Sequence, residues 1–151
     1  MLSPAQIKET FQAEVDSGLI RYQGYPTTSV AVPVATDTEL FAAAAGPLTD
    51  FWLCGFLAAV YASVAALTLT VTIGYGGVDG ANPPATVVVT TFPIAKDGNA
   101  GTVGPMEVPT EMFPYPIRIP GGVRMAVITA AITGTDTIDE FWVILATAVG
   151  S

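Results

Sequence analysis

Pro114-Tyr115-Pro116-Ile117-Arg118-Ile119-Pro120-Gly121-Gly122-Val123-Arg124-Met125-Ala126-Val127-Ile128-Thr129-Ala130-Ala131-Ile132-Thr133 decides the fold of this chain, together with Gly134-Thr135-Asp136 and Phe141-Trp142-Val143-Ile144-Leu145-Ala146-Thr147-Ala148-Val149. Three apolar, β-prone runs are separated by two turns, Pro120-Gly121-Gly122 and Gly134-Thr135-Asp136. Proline presets φ and glycine permits positive φ, so both turns read as chain reversals. That punctuation predicts antiparallel β-sheet. None of these strands carries a nucleophile with a base beside it.

The same grammar extends upstream. Residues 67–73 alternate apolar side chains with Thr68, Thr70 and Thr72, which predicts a strand with one wet face. β-prone runs also fall at 19–23, 28–34, 39–45, 50–61, 66–74, 86–93, 112–119, 123–133 and 141–149. Pro33 places the second of these at an edge or a bulge. Pro114 and Pro116 cannot donate to a ladder, so 112–119 reads as an edge strand. Loops rich in Gly and Pro separate the runs, at 74–84 and 97–109. The expectation is all-β: an antiparallel β-sandwich, jelly-roll-like, of about eight strands.

Only the N-terminus reads as helix. Ser3 can cap, Pro4 suits the first helical position and Gln6 completes a capping box. Ile7, Phe11 and Val15 then share one face, and Gly18 is a stop. This divides the chain into an N-terminal helix or arm, residues 1–18, and a β-sandwich domain, residues 19–151. The helix either packs on its own sheet or docks on a neighbouring subunit. Residues 51–78 carry no charge, a length that could cross a membrane as a helix. The Thr alternation and the lack of flanking Lys or Arg favour two strands instead. Met1-Leu2-Ser3-Pro4 lacks the basic and apolar regions of a signal peptide.

Composition narrows the function. Of 151 residues, 51% are hydrophobic and 12% charged, and the net charge is −8. So little charge leaves apolar surface to meet a partner. The basic residues Lys8, Arg21, Lys96, Arg118 and Arg124 form no stripe, which argues against nucleic acid. The same sign argues against anionic membranes. Cys54 is the single cysteine and sits in an apolar run, so it reads as a buried small hydrophobe and the chain as made in a reducing cytoplasm.

No catalytic, metal or cofactor constellation is expected. Without histidine, a thiolate or serine nucleophile has no usual base and zinc no usual ligand set. Asp136, Asp139 and Glu140 lack the dense alternating oxygens of a calcium loop. Glu107 and Glu111 flank a proline and make a poor glycosidase pair. Gly74-Tyr75-Gly76-Gly77 precedes no helix, so it is not a phosphate loop. Phe51-Trp52 and Phe141-Trp142 each put one ring on either face of a strand. One ring of each pair reads as core; the other, if open, could stack on a sugar or a protein neighbour.

The second half resembles a recurrent jelly-roll type among virion proteins of tailed bacteriophages. The matching residues are Phe51-Trp52-Leu53-Cys54-Gly55-Phe56, the strand at 67–74, and Phe113-Pro114-Tyr115-Pro116-Ile117-Arg118-Ile119-Pro120-Gly121-Gly122-Val123-Arg124-Met125-Ala126. They span roughly residues 48–149. In such proteins basic residues often follow the position of Arg124; here an apolar strand follows. The resemblance implies a non-enzymatic virion protein, first of all a capsid decoration (cement) protein on the outer surface of a phage head. It implies the major capsid protein or other virion proteins as partners, and a homo-oligomer, a trimer. A tail, neck or baseplate component, or a carbohydrate-binding module of a fibre, is the alternative. The candidate contact residues are Leu2, Ile7, Phe11 and Val15 on the helix, and Phe113 and Tyr115 on the edge strand.

Overall fold

Residues 3–33, 35–59, 67–77, 87–96, 110–133 and 138–149 are described by the computed structural model. Among these residues one helix, α1 (Pro4–Asp16), precedes eight strands. These are β1 (Ile20–Val32), β2 (Thr38–Phe41), β3 (Phe51–Ala59), β4 (Leu67–Tyr75), β5 (Val87–Lys96), β6 (Thr110–Ile119), β7 (Met125–Thr133) and β8 (Ile138–Ala148).

The helix starts as its sequence dictates. The Ser3 hydroxyl accepts from the Gln6 N–H at 3.3 Å, and the Gln6 side chain accepts from the Ser3 N–H at 2.8 Å. It ends at Gly18, whose φ of +71° a residue with a Cβ adopts at a cost.

The strands form two four-stranded antiparallel sheets, ordered β1-β8-β3-β6 and β2-β7-β4-β5. β1 pairs β8, β2 pairs β7, β3 pairs β6 and β4 pairs β5. That is the pairing of one long hairpin, doubled back between β4 and β5 and rolled up, the topology of a jelly roll. The expected β-sandwich with a short N-terminal helix is the observed fold. No helix among the described residues is long and apolar enough to cross a membrane.

Several local expectations change. The connection through Pro120-Gly121-Gly122 does not close a hairpin: β6 lies in the first sheet and β7 in the second. The turn after β7 likewise leads to β8 in the other sheet, and its residues 134–137 lie outside those described. A turn reverses the chain locally, but which sheet takes the next strand depends on where its apolar face finds cover. Runs 19–23 and 28–34 merge over Ile20–Val32 into one strand, β1, whose register slips between Tyr25 and Val30; residue 34 lies outside those described. β2 is shorter than expected, because Ala42 to Gly46 turn back, with the Ala45 N–H donating to the Ala42 carbonyl at 3.0 Å.

Phe51, Leu53 and Phe56 of β3, Leu69, Val71 and Ile73 of β4, and Phe141, Val143 and Leu145 of β8 fill the space between the sheets. Phe51 and Leu53 alternate normally, but Cys54 has no partner on β8, since Leu53 faces Leu145 and Gly55 faces Ile144. This bulge shifts the inward positions to Phe56 and Ala58. On β4, Thr70 and Thr72 stay half-buried opposite the core side chains, and the Thr72 hydroxyl meets that of Thr91 on β5 at 3.3 Å.

The Pro120-Gly121-Gly122 corner is built on glycine. A Cβ on Gly121 would lie 2.4 Å from the Thr49 backbone and 2.5 Å from the Leu48 carbonyl oxygen. Gly122 has φ +69° and donates to the Pro47 carbonyl at 2.9 Å. Beyond it, Arg124 is buried and pairs with Asp37 and with Glu39, its Nε lying 2.8 Å from Glu39 Oε1. Burial opposes the Arg124 charge, but the two carboxylates outweigh it and hold the guanidinium above its usual pKa. The ion pairs tie the start of β7 to β2 at the short edge of the second sheet.

Candidate functional site

α1 lies on the outer face of the first sheet. Ile7 and Phe11 pack, with Ile20 and Ile144, on a small second cluster of Trp52, Cys54 and Ala146. The two members of each Phe-Trp pair do point apart: Phe51 and Phe141 enter the core, while Trp52 faces the helix. Trp52 is left with no open face. Phe11 meets it edge-on at 5.6 Å between centroids, and the Arg118 guanidinium lies 4.8 Å from its centroid. Its Nε1 donates to Glu14 Oε2 at 2.7 Å. Both Glu14 oxygens also accept from Arg118 Nη1 at 3.2 Å, and Asp50 Oδ2 lies 3.9 Å from Arg118 Nε. Trp142 is half-buried over Gly24. The sugar-stacking reading therefore loses its first tryptophan.

Cys54 shares this covered patch. Burial pushes its thiol up to about 12, offset in part by a hydrogen bond with the Ala146 backbone. The folded thiol holds its proton more tightly than the unfolded one. Its contribution to stability is intact below the ordinary thiol value of 9.0 and is lost as pH rises from there toward 12. At pH 8 native Cys54 should resist iodoacetamide and react at once in urea; rapid native labelling would show that the helix does not cover it. Tyr22, beside Phe11 at 6.3 Å, also has a raised pKa, from burial first and then the Cys54 charge.

Beside the helix runs a groove of about 540 Å³. Ile7, Thr10 and Glu14 of α1 form one wall, and Tyr115, Pro116, Ile117 and Arg118 of β6 the other, with Trp52 between them. The β6 wall arises from a break in pairing. Leu53 faces Ile117 and Gly55 faces Met112, so Phe113-Pro114-Tyr115-Pro116 drop out of the ladder with β3. The two prolines, which have no N–H to contribute, sit where no ladder bond is required. Among the described strands β6 lies at an edge, as its prolines predict.

The five candidate contact residues that are described lie in different surroundings. Ile7 and Tyr115 face each other across the groove. Phe11 is half-buried between Trp52 and Tyr22. Val15 is half-buried on the helix. Phe113 turns inward onto Phe56, 6.2 Å between centroids. Leu2 lies outside the described residues. Sequence reasoning missed Leu19, Leu48, Met112 and Val149, all large and exposed. Only their flanking position beside strand ends or prolines marks them in the sequence.

Among the described residues no group of three or more His, Cys, Asp or Glu could hold a metal. Asp136 of the considered calcium set lies outside those residues.

Some solved chains are similar to this one in part. Chains in the T13 particle of infectious bursal disease virus and in its Gx and Gt strains match at 19%, 21% and 15% identity. Each match covers 87% of this chain, with TM-scores of 0.37, 0.34 and 0.32. This chain spans about a third of theirs, 32%, 31% and 31% respectively. No protein-family model and no curated protein matches the sequence.

Proposed function

We propose that the chain is a non-enzymatic structural subunit of a virus particle, and specifically a capsid decoration protein of a tailed-phage head. The observation that carries this reading is the strand order β1-β8-β3-β6 facing β2-β7-β4-β5, with the phage-like passage at 113–126 placed on its edge strand and corner. Eight-stranded jelly rolls of this kind build capsid and lectin domains. Fold and motif support this reading, and the groove supplies the chemistry. Its walls are largely apolar, and Glu14 and Arg118 neutralise each other within it. Such a surface suits contact by burial, at about 25 cal/mol per Å² of apolar area. Many copies held between capsid subunits would add through multivalency.

In this reading the protein is made in the host cytoplasm and ends on the outer capsid surface as a trimer, bound to the major capsid protein. It touches neither nucleic acid nor membrane. Two of its five basic residues, Arg118 and Arg124, are already in ion pairs. Quantitative mass spectrometry of purified virions tests the proposal. Abundance comparable to the major capsid protein supports decoration. A few copies per particle would move the chain to the tail, neck or baseplate, and absence from virions would overturn the structural role.

A further inference from the structure

Among the described residues the first sheet ends in two edge strands, β1 and β6, and each carries exposed apolar side chains. On the β1 side Leu19 and Tyr22 project, 61% and 55% exposed, and the Val149 N–H donates to the Leu19 carbonyl, which brings exposed Val149 beside them. On the β6 side lies the concave groove, rimmed by Tyr115 at 48%. The charges differ too. β1 has a single charged residue, Arg21, exposed and with no ion-pair partner among the described residues. The groove side has two carboxylates, Glu14 and Asp50, around one guanidinium, Arg118.

We propose that the occupant of the groove is a second copy of this chain, which inserts its β1 edge, led by Leu19 and Tyr22, beside Tyr115. An edge that carries the cation Arg21 on one side, and on the other a concave groove bordered by Asp50 beyond the neutral Glu14–Arg118 pair, define a heterologous, head-to-tail contact. Repetition of such a contact closes a ring when the rotation per copy permits. Pro114 and Pro116 keep the contact from becoming a continuous ladder, so side chains make it. The inference deepens the reading of the chain as an assembling subunit and rests on that reading, but its test needs only the isolated protein.

Sedimentation equilibrium of the full chain should show species above the 15.6 kDa monomer. Leu19→Glu sets a carboxylate against Glu14 and Asp50, and Tyr115→Lys sets a cation against Arg21. Each exposed-site variant alone should fall to the monomer with its melting temperature unchanged. Mixed in equal amounts, they should form a one-to-one dimer and nothing larger, because each retains the half that the other lacks. A wild type monomeric at every concentration, variants that still assemble, or a mixture that stays monomeric would each overturn the proposal. Absence from virions would sink the viral role while leaving this result standing.

Discussion

Arg124→Ala should lower the unfolding free energy by about 3–5 kcal/mol, among the largest effects of any single change. Arg124 is 5% exposed, and the side chain of its partner Asp37 is 6% exposed. Removing the guanidinium leaves two carboxylates, one of them buried, without their cation. The loss is therefore much greater than for the surface pair between Arg118 and Glu14, where a typical value is about 0–1 kcal/mol. Urea titration of the two single variants, Arg124→Ala and Arg118→Ala, checks the ranking. Equal midpoints would show that the Arg124 site is not dry. Replacing Arg124, Asp37 and Glu39 together by apolar residues of similar volume should recover most of the loss, since buried ion pairs are often no better than good packing.

The second large effect belongs to Trp52→Ala, about 3–5 kcal/mol by the usual cost of emptying a buried tryptophan site. Its distinguishing result is local. Trp52 holds α1 through Phe11 and through the 2.7 Å bond to Glu14, so its loss should free the helix as well as open a cavity. Cys54 sits under the same helix and reports this directly: its alkylation at pH 8 should accelerate well beyond what global unfolding explains. Trp52→Phe keeps an aromatic contact but loses the hydrogen bond to a charged acceptor, an effect of about 1.5–3 kcal/mol, together with the packing of the indole atoms that phenyl lacks. If Trp52→Ala leaves Cys54 protected, the helix is held by other contacts.

The passage at 113–126 has a physical reading. Pro114 and Pro116 occupy the gap in the β3–β6 ladder, and Ile119 is core. Gly121 passes where a Cβ has no room, Gly122 takes the left-handed turn, and Arg124 closes the ion pair on β2. These residue types are required by backbone geometry or burial, so this part of the passage specifies a corner of the sandwich. It does not by itself specify a partner.

The features legible in the sequence are those set by near neighbours along the chain. Ser3 and Gln6 are three residues apart, and their capping box forms as read. The Thr alternation of β4 and the prolines of β6 likewise express the period and donor pattern of single strands. Features that join distant residues were not legible. Glu14 meets Arg118 and Asp37 meets Arg124, each across most of the chain, and no local spacing marks them. The bulge at Cys54 was hidden because an apolar run looks the same with or without one extra residue.

By itself the sequence determined that this chain is a β-sandwich with one capped helix, because turn chemistry and hydrophobic period act within a few residues. Only the tertiary structure decided which sheet each strand joins, that β6 breaks from its ladder, and that α1 leaves a groove beside it. Those outcomes depend on how apolar faces cover one another once the whole chain has closed, a competition that no short stretch of residues can express.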